Sequence, residues 1–279
     1  LLSISFNGEE VDGIRSYPDL GITDGSVVVV TLTNGKESHP MNTELSDGVD
    51  YGIERLLVLF RNEGVKSCLD AFCKKYVAND YSLNVLTALR DNIRIDSSTE
   101  KDLVEGLSAM LSLFLERKVK QQLILTIIQW YSKILQSSSS AAPAILPAAT
   151  QCLNAFPSEP LLTDPALQLL KTLLSAPMTA ELQVALQAAD VAGTLLRVMG
   201  HNTADSALAA QSFGLLAQWC AVCSRASEAM DDPAFAETLA AYLEAAHLAP
   251  AAVPTLLQIL NAVLTSEARV GQFCTSRLL

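Results

Sequence analysis

The stretch PALQLLKTLLS (Pro165–Ser175) places Leu and Ala at the spacing of one helix face, and it decides the fold because similar stretches recur along the chain. The others are VKQQLILTIIQWYSKIL from Val119, DSALAAQSFGLLAQWC from Asp205 and AAVPTLLQILNAVL from Ala251. Their starts lie about 40–46 residues apart, which is the length of a stacking unit of two or three helices. We therefore predict a mainly α fold in which such units form an α-solenoid.

Further helices are predicted from apolar stripes and from cap residues. Stripes begin at Ile53, Cys68 and Leu103, and shorter helices are predicted at Glu181–Ala188 and Val191–Met199. A capping box at Ser98-Thr99-x-x-Asp102 predicts one helix start. Two others are predicted where an Asp acceptor precedes a proline, at Asp164-Pro165 and Asp232-Pro233.

The polarity of the chain divides it into three parts, which are residues 1–33, a polar linker at 34–48 and helical repeats at 49–279. A run of serines at Ser137–Ser140, followed by Ala-Ala-Pro, marks a possible break at 137–142. This break is either an inserted loop or a Ser-capped helix start.

Composition and charge favour protein partners. Half of the residues are apolar and only 18% are charged, which indicates a large aliphatic core, and the formal net charge is −11. We expect no nucleic-acid partner, because a Lys/Arg stripe is missing. An acidic surface favours protein partners with basic or apolar faces, unless the charge serves solubility alone. The basic residues after Ala141 are Lys171, Arg197, Arg225, Arg269 and Arg277.

The cysteines indicate a reducing compartment. Six are present, and they fall within apolar helical patterns instead of short loops. A chain of 279 residues needs no disulfide staples, so we predict an intracellular protein, cytoplasmic or cytoskeletal. No uninterrupted apolar run reaches ~18–20 residues, so we expect no membrane span.

The first 33 residues have the pattern of strands. Ile4 and Phe6 alternate with serines and precede an Asn7-Gly8 turn, and a run of valines at Ser26–Leu32 follows Asp24-Gly25. Between them, Tyr17–Ile22 suits a short helical turn.

This segment resembles the C-terminal half of ubiquitin-like domains over about 30 residues. Phe6-Asn7-Gly8 matches the family's "F-x-G", and Arg15–Ile22 matches "R-x-L-x-D-Y-x-I" with Tyr17 and Leu20 in the Leu and Tyr positions. The resemblance implies a partial β-grasp fold, whose missing strands either precede Leu1 or come from another chain. We accordingly expect the chain to be an internal fragment, or the ordered part, of a longer protein.

Two departures from this family bear on function. The last strand continues through Thr33 into the linker without the Arg-x-x-Gly-Gly end of conjugating members, so we expect no conjugation. Ser5 and Thr31 stand at two positions of the apolar patch through which ubiquitin is commonly bound. A structural or docking role is therefore expected for this segment.

The helical part resembles armadillo and HEAT repeats. Ala189–Leu196 is similar to the armadillo junction "x-G-x-(I/L)-x-x-L-(V/L)". Many armadillo repeats carry an Asn on the concave face, and its position falls on Gln129, Lys171, Gln218 and Asn261. The resemblance makes these four residues candidate partner contacts, the alternative being solvated surface positions. The importin-type Trp positions, which would argue for a basic-peptide groove, hold other residues, namely Leu125, Leu167, Gly214 and Leu257.

One constellation points to enzyme chemistry. Trp219–Cys223 resembles the thioredoxin "W-C-x-x-C", and Val253–Thr255 resembles that family's "(I/V)-P-T" loop. The chemistry requires the first thiol at a helix N-terminus, where its pKa falls. The apolar spacing from Leu208 to Leu216 instead predicts Cys220 late in a helix, which favours structural cysteines.

Other catalytic and ligand-binding signals are missing from the sequence. His39, His201 and His247 stand apart from one another and from carboxylates at ligand spacing, so we expect no metal. Neither a phosphate-binding loop nor a nucleophile elbow is present, so we expect no cofactor and no catalytic residue.

These observations favour a non-catalytic interaction scaffold in a larger intracellular assembly, such as a cytoskeletal or ciliary one. Regulators related to the formin and engulfment-adaptor N-termini share the order of a ubiquitin-like fold before armadillo-like repeats, which is an analogy of architecture alone. The alternative is a ubiquitin-pathway component, such as the armadillo arm of a ligase or a proteasome shuttle. A remote alternative is a thiol-disulfide oxidoreductase that uses Cys220 and Cys223.

Overall fold

The computed structural model describes residues 2–6, 9–11, 28–32, 41–202, 207–223, 237 and 253–263. Contacts within the chain separate two units, Leu1–Tyr51 and Gly52–Leu279.

The first unit contains a three-stranded antiparallel sheet. Its strands are β1 (Leu2–Phe6), β2 (Glu9–Val11) and β3 (Val28–Leu32), in the order β2-β1-β3. Phe6 pairs with Glu9, so Asn7 and Gly8 form a two-residue connection, which is the turn that an Asn-Gly pair predicts. The valine run pairs with β1 through Ile4 and Val30. The helical turn predicted at Tyr17–Ile22 lies outside the described residues.

The first helix begins inside the predicted linker. Helix α1 covers Met41–Glu63, so the part of the linker from residue 41 onward is helical. The predicted linker ends in an Asp47-Gly48 pair, a combination that is typical of turns. A single glycine inside a helix costs only about 1 kcal/mol relative to alanine, and here the helix continues through it.

The second unit is mainly helical, as predicted. Its further helices are α2 Val65–Lys75, α3 Ser82–Asn92, α4 Glu100–Arg117, α5 Gln121–Ser137, α6 Ala142–Ala155, α7 Pro160–Leu174, α8 Ala180–Ala188, α9 Val191–His201, α10 Ala207–Val222 and α11 Val253–Val263.

These helices pack in two layers. In one layer α2 contacts α4, α4 contacts α6, and α6 contacts both α8 and α9. In the other, α3, α5, α7, α10 and α11 contact one another in succession. The layers meet where α4 packs on α5, α6 on α7 and α9 on α10. The core is largely aliphatic, and its largest buried side chains include Phe72, Phe114, Trp130 and Tyr131.

One predicted helix start is wrong, whereas α4 begins at Glu100, where its predicted capping box indicates, but without the capping hydrogen bond. Helix α7 begins at Pro160, and Pro165 lies inside it, because the fixed φ of Pro160 suits the first helical turn equally well. The capping box at Ser98–Asp102 does not form, since the Thr99 side chain makes no cap bond. The Asp96 carboxylate accepts the backbone N–H groups of Ser98 and Thr99 instead, at 3.0 and 2.9 Å. The Asp232-Pro233 start lies outside the described residues.

The serine run is a capped helix start, which was one of the two predicted alternatives. The Ser138 hydroxyl accepts the backbone N–H of Ser140. A short 3₁₀ turn at Ser139–Ala141 then leads directly into α6, so the two helices α5 and α6 are joined without an inserted loop.

The glycine of the predicted armadillo junction has a defined structural role. The Asp190 carboxylate caps α9 by accepting the backbone N–H of Gly193 at 3.0 Å. A Cβ atom at Gly193 would lie 2.3 Å from Asp190 Oδ2, so a side chain there would displace the cap. The tight approach explains why glycine suits this position.

Candidate interaction surface

The four candidate contact residues lie on four helices that contact one another in succession. Gln129 is on α5, Lys171 on α7, Gln218 on α10 and Asn261 on α11. Gln218 is half-buried and the other three are exposed. We call these four residues the amide strip, since three of them carry a side-chain amide.

Gln129 is held by a residue of the preceding helix in the layer. The guanidinium of Arg90 on α3 donates from Nη1 to Gln129 Oε1, and Lys133 Nζ donates to the Arg90 carbonyl at 2.7 Å. Arg90 Nε also donates to Asp91 at 2.9 Å, and this hydrogen bond lowers the pKa of the Asp91 carboxyl. Arg90 is thereby anchored on both sides while it holds Gln129.

Gln218 is held in the same way by Ser175, which is the C-cap residue of α7. Its Nε2 donates to Ser175 Oγ at 2.9 Å, and Ser175 Oγ donates to the Lys171 carbonyl at 2.8 Å. The hydroxyl hydrogen is therefore already used, and Ser175 can only accept from Gln218.

The faces around the strip carry very few charges. Helices α5, α7, α10 and α11 contain Lys133, Asp164 and Lys171 as their charged residues. The ion pairs among the described residues are Lys66–Glu105, Arg90–Asp91 and Lys120–Asp80, so they leave Lys171 without a carboxylate partner. Other exposed residues of these helices are uncharged, and they include Gln122, Gln136, Leu161, Gln168, Thr172, Ala210, Gly214, Leu257 and Gln258.

The four positions aligned with the importin-type tryptophans do not form an aromatic array. Leu167 is fully buried and Leu125 is half-buried, so both belong to the packing between helices. Gly214 and Leu257 are exposed, and the nearby Trp219 points into the core with 3% exposure. The structure therefore places amides, and not aromatic rings, on the surface of this layer.

Sequence reasoning missed the residues that hold the strip in place. Arg90 and Gln129 are 39 positions apart, and Ser175 and Gln218 are 43 apart, so each pair links neighbouring helices of the layer. The repeat spacing was the available signal, because polar residues separated by one repeat length are candidates for such bonds. Further side chains link residues 39 to 45 apart, in the pairs Lys66–Glu105, Gln151–Ser112, Gln183–Val222, Arg197–Asn154 and Asn202–Pro157.

The thioredoxin-like residues do not have the geometry of a redox site. Cys220 lies in the last turn of α10, as its helical spacing predicted, and only 7% of it is exposed. Burial raises the pKa of its thiol to about 12, whereas a redox nucleophile requires a lowered pKa. Cys223 follows the helix and is buried, and Val253–Thr255 opens α11 instead of lying in a loop.

Metal-ligand clusters are not found within the described ranges, where no three His, Cys, Asp or Glu side chains converge. His201 lies on the α9 surface, with its Nδ1 at 2.8 Å from the Arg197 carbonyl oxygen. His39 and His247 lie outside the described residues.

Among the helices that the structure describes, none combines the length and the apolar character that crossing a membrane requires.

Comparison with known proteins gives no family for the chain. No protein-family model matches it, and neither a curated protein nor a solved structure is significantly similar to it.

Proposed function

We propose that the chain is a non-catalytic protein-interaction scaffold in which armadillo- or HEAT-like repeats present the amide strip to a protein partner. Two layers of helices support the repeat architecture, since each helix packs on a counterpart roughly one repeat length further along the chain. Recurrent side-chain bonds between residues 39 to 45 apart add to that support.

The observation that carries the proposal is the charge-poor, amide-bearing face of α5, α7, α10 and α11. Protein interfaces are depleted of charged residues at their centres, and a face of this kind is unusual on a surface that only meets water. In the other layer, α2 and α4 bear many charges, including Lys66, Lys74, Lys101 and Glu105, whereas α6, α8 and α9 carry only Glu181 and Arg197. We favour the layer of α5, α7, α10 and α11 as the partner-binding side, because the amide strip continues over four successive helices that together contain only three charged residues.

The remaining parts of the proposal concern the N-terminal segment and the compartment. The three-stranded antiparallel sheet supports a partial ubiquitin-like segment, for which we propose a docking role. The described cysteines are free, which supports a reducing, cytoplasmic or cytoskeletal location. We propose protein as the partner, in preference to nucleic acid or a membrane surface.

A ubiquitin-pathway component is the second candidate, and the sheet is the observation in its favour. Under that alternative the strip would recognise a ligase subunit, a ligase substrate or the proteasome. The oxidoreductase alternative is disfavoured by the burial and raised thiol pKa of Cys220.

The proposal is tested by adding charge to one layer at a time. The double variant Gln129→Glu/Asn261→Asp alters the strip, and Gln151→Glu/Asn154→Asp alters exposed residues on α6 of the other layer. Gln129 and Gln151 are matched, because each is an exposed Gln bonded to a side chain 39 positions earlier.

Affinity purification of the intact protein from cells should recover a partner set that the strip variant loses and the α6 variant keeps. If both variants retain every partner of the parent, the strip is not the binding surface. Recovery of proteasome subunits alone would replace the scaffold by the ubiquitin-pathway alternative.

A further inference from the structure

Five exposed cations lie where α2 and α4 end, and none of them belongs to the amide strip. Helix α2 ends at Lys75, and α4 ends at Arg117, shortly before α5 begins. We call these cations the basic edge, and they are Lys74, Lys75, Arg117, Lys118 and Lys120. The carboxylates within residues 74–81 and 116–120 are Asp80 and Glu116, so the edge is positively charged in a chain whose net charge is −11.

The two helix ends lie on the same side of their layer, because α2 and α4 run in the same direction. In their first two turns, Lys66 Nζ lies 2.7 Å from Glu105 Oε2. Further along, burial raises the pKa of the Cys73 thiol to about 11, and the positive charge of Arg117 opposes this rise. Arg117 therefore lies near the last turns of α2, and the contacts advance together along both helices.

The loops that follow the two helices also meet. Lys120 Nζ, after α4, lies 3.6 Å from Asp80 Oδ1, after α2. The loop between α2 and α3 is held by Asn79, whose Nδ2 donates to the Tyr81 hydroxyl at 3.0 Å and to the Lys75 carbonyl at 3.3 Å. A surface that is ordered before binding loses less conformational entropy when a ligand binds. The basic edge is therefore preorganised.

Most cations of the basic edge are unpaired. Within the parts of the chain that the structure describes, Lys120 is the only one of the five in an ion pair. Its partner Asp80 is 99% exposed, so water screens that pair strongly. Cations in the last turn of a helix interact favourably with the helix dipole, which accounts for part of the charge on α2 and α4. The unpaired charges remain available to a ligand.

The backbone of Lys118 gives a second observation. Lys118 ends α4 in the left-handed region, with φ 51° and ψ 47°, and it is the only non-glycine residue with a positive φ among those described. Glycine is the usual residue in this conformation at a helix end, because an L side chain is sterically disfavoured there. A lysine at this position therefore costs stability while it supplies a cation to the basic edge, which indicates a function of its side chain beyond folding.

The size of the basic edge suits a narrow acidic ligand. Packed helices lie about 8–10 Å apart, and charges interact over about 8 Å at physiological salt, so the cations of α2 and α4 act together. An acidic polypeptide segment meets these cations alone. An anionic bilayer or a nucleic-acid duplex extends further, and it also meets the negative charge that the rest of the chain carries.

From these observations we infer that the basic edge binds an acidic segment of a protein partner, whose Asp and Glu side chains pair with the lysines and Arg117. The inference goes beyond the amide strip and does not depend on it. A scaffold needs at least two binding surfaces to bring proteins together, and the basic edge supplies a second one.

A short fluorescein-labelled peptide of alternating Glu and Gly, titrated with the intact chain in about 50 mM salt, tests this assignment. Lys74→Gln/Lys118→Gln should weaken its binding about three- to tenfold, since each exposed charge pair contributes modestly. The matched control is Arg94→Gln/Lys101→Gln, which removes two exposed cations near the start of α4. Lys101 is roughly 25 Å from Lys118 along the helix, so the control should bind as the parent does. An absence of binding by the parent, or equal weakening in both variants, would overturn the inference.

The substitution Lys118→Gly separates binding from folding. It should weaken the peptide about threefold, while the midpoint of thermal unfolding rises or stays unchanged because the steric cost of the left-handed backbone is removed. An unchanged affinity or a lower midpoint would contradict the role assigned to Lys118.

Two further arms distinguish the ligand and the surface. Vesicles containing phosphatidylserine and a short DNA duplex should bind more weakly than the acidic peptide, and tighter binding of either would overturn the choice of a polypeptide. The strip variant Gln129→Glu/Asn261→Asp should bind the peptide as the parent does, whatever its effect on cellular partners. Loss of the peptide in that variant would place it on the amide strip and contradict the assignment to the basic edge.

Discussion

Ser175 accepts a hydrogen bond from the Gln218 amide at 2.9 Å, although the two residues are 43 positions apart. The bond joins the end of α7 to α10, and Ser175 in turn donates to the Lys171 carbonyl at 2.8 Å. One hydroxyl thereby connects two members of the amide strip, so packing between helices and the direction of a surface amide depend on the same group.

The first prediction concerns this bond. Ser175→Ala should lower the free energy of unfolding by about 1 kcal/mol, because the half-buried Gln218 amide loses its acceptor. The matched control is Thr172→Ala on the same helix, whose hydroxyl donates to the Gln168 carbonyl at 3.0 Å within α7. Thr172→Ala should change the free energy of unfolding, measured in urea, by no more than about 0.5 kcal/mol. Equal effects of the two substitutions would show that the bond between α7 and α10 contributes nothing.

The second prediction compares two glycines of α9. Gly193→Ala should leave the free energy of unfolding about unchanged, because loss of the Asp190 cap, about 1 kcal/mol, offsets the similar gain in helix propensity. Gly200→Ala should be neutral or stabilising by up to about 1 kcal/mol, since a Cβ there meets nothing within 4 Å and alanine is the better helix former. Thermal melting compares the two, and a Gly193→Ala that stabilises as much as Gly200→Ala would mean that Asp190 does not cap the helix.

The third prediction is a loss of stability at alkaline pH. Burial raises the pKa of the Cys152 thiol to about 12, above its unfolded value of about 8.5. The unfolded thiol ionises first, so this contribution to stability is complete below about pH 8.5 and is lost as the pH rises toward 12, by up to roughly 1.4 kcal/mol per pH unit.

The check is urea unfolding of the parent and Cys152→Ala between about pH 8 and 10. Because Cys152→Ala removes a buried sulfur, the variant should have a lower free energy of unfolding than the parent at every pH. Its free energy of unfolding should nevertheless fall less steeply with rising pH than that of the parent. Parallel curves would show that the thiol ionises equally in both states.

The fourth prediction concerns redox chemistry. The reduced chain should fail to catalyse insulin reduction near neutral pH, because the Cys220 thiol is buried in the last turn of a helix and its pKa is raised. Cys220→Ser should therefore be indistinguishable from the parent in this assay. Turnover by the parent that disappears in the variant would restore the oxidoreductase alternative.

Local signals in the sequence predicted much of the helical fold. The helix predicted at Val119–Leu135 is found at Gln121–Ser137, and that at Val191–Met199 is found at Val191–His201. Apolar periodicity depends on residues that are close in the sequence, so it can be recognised without knowledge of the fold. The start of α7 was missed because Pro160 and Pro165 are both acceptable near a helix N-terminus, and local sequence does not choose between them.

The candidate surface was only half predictable. The positions of Gln129 and Gln218 followed from the resemblance to armadillo repeats, in which an Asn of the long helix marks the concave face. Their hydrogen-bond partners Arg90 and Ser175 are about one repeat away, and the choice between several polar neighbours at that separation depends on how the helices pack. The direction of each amide therefore required the structure.

The most direct test of the central claim is site-specific photocrosslinking in cells. A photoreactive residue at Gln168 or Gln258 reports on α7 and α11 of the strip layer, and one at Ala144 or Gln151 reports on α6; all four positions are exposed. We expect a shared crosslinked protein from the two strip-layer positions and none of it from α6. Crosslinking of that protein from α6 alone, or equally from both layers, would contradict the assignment of the amide strip as the binding surface.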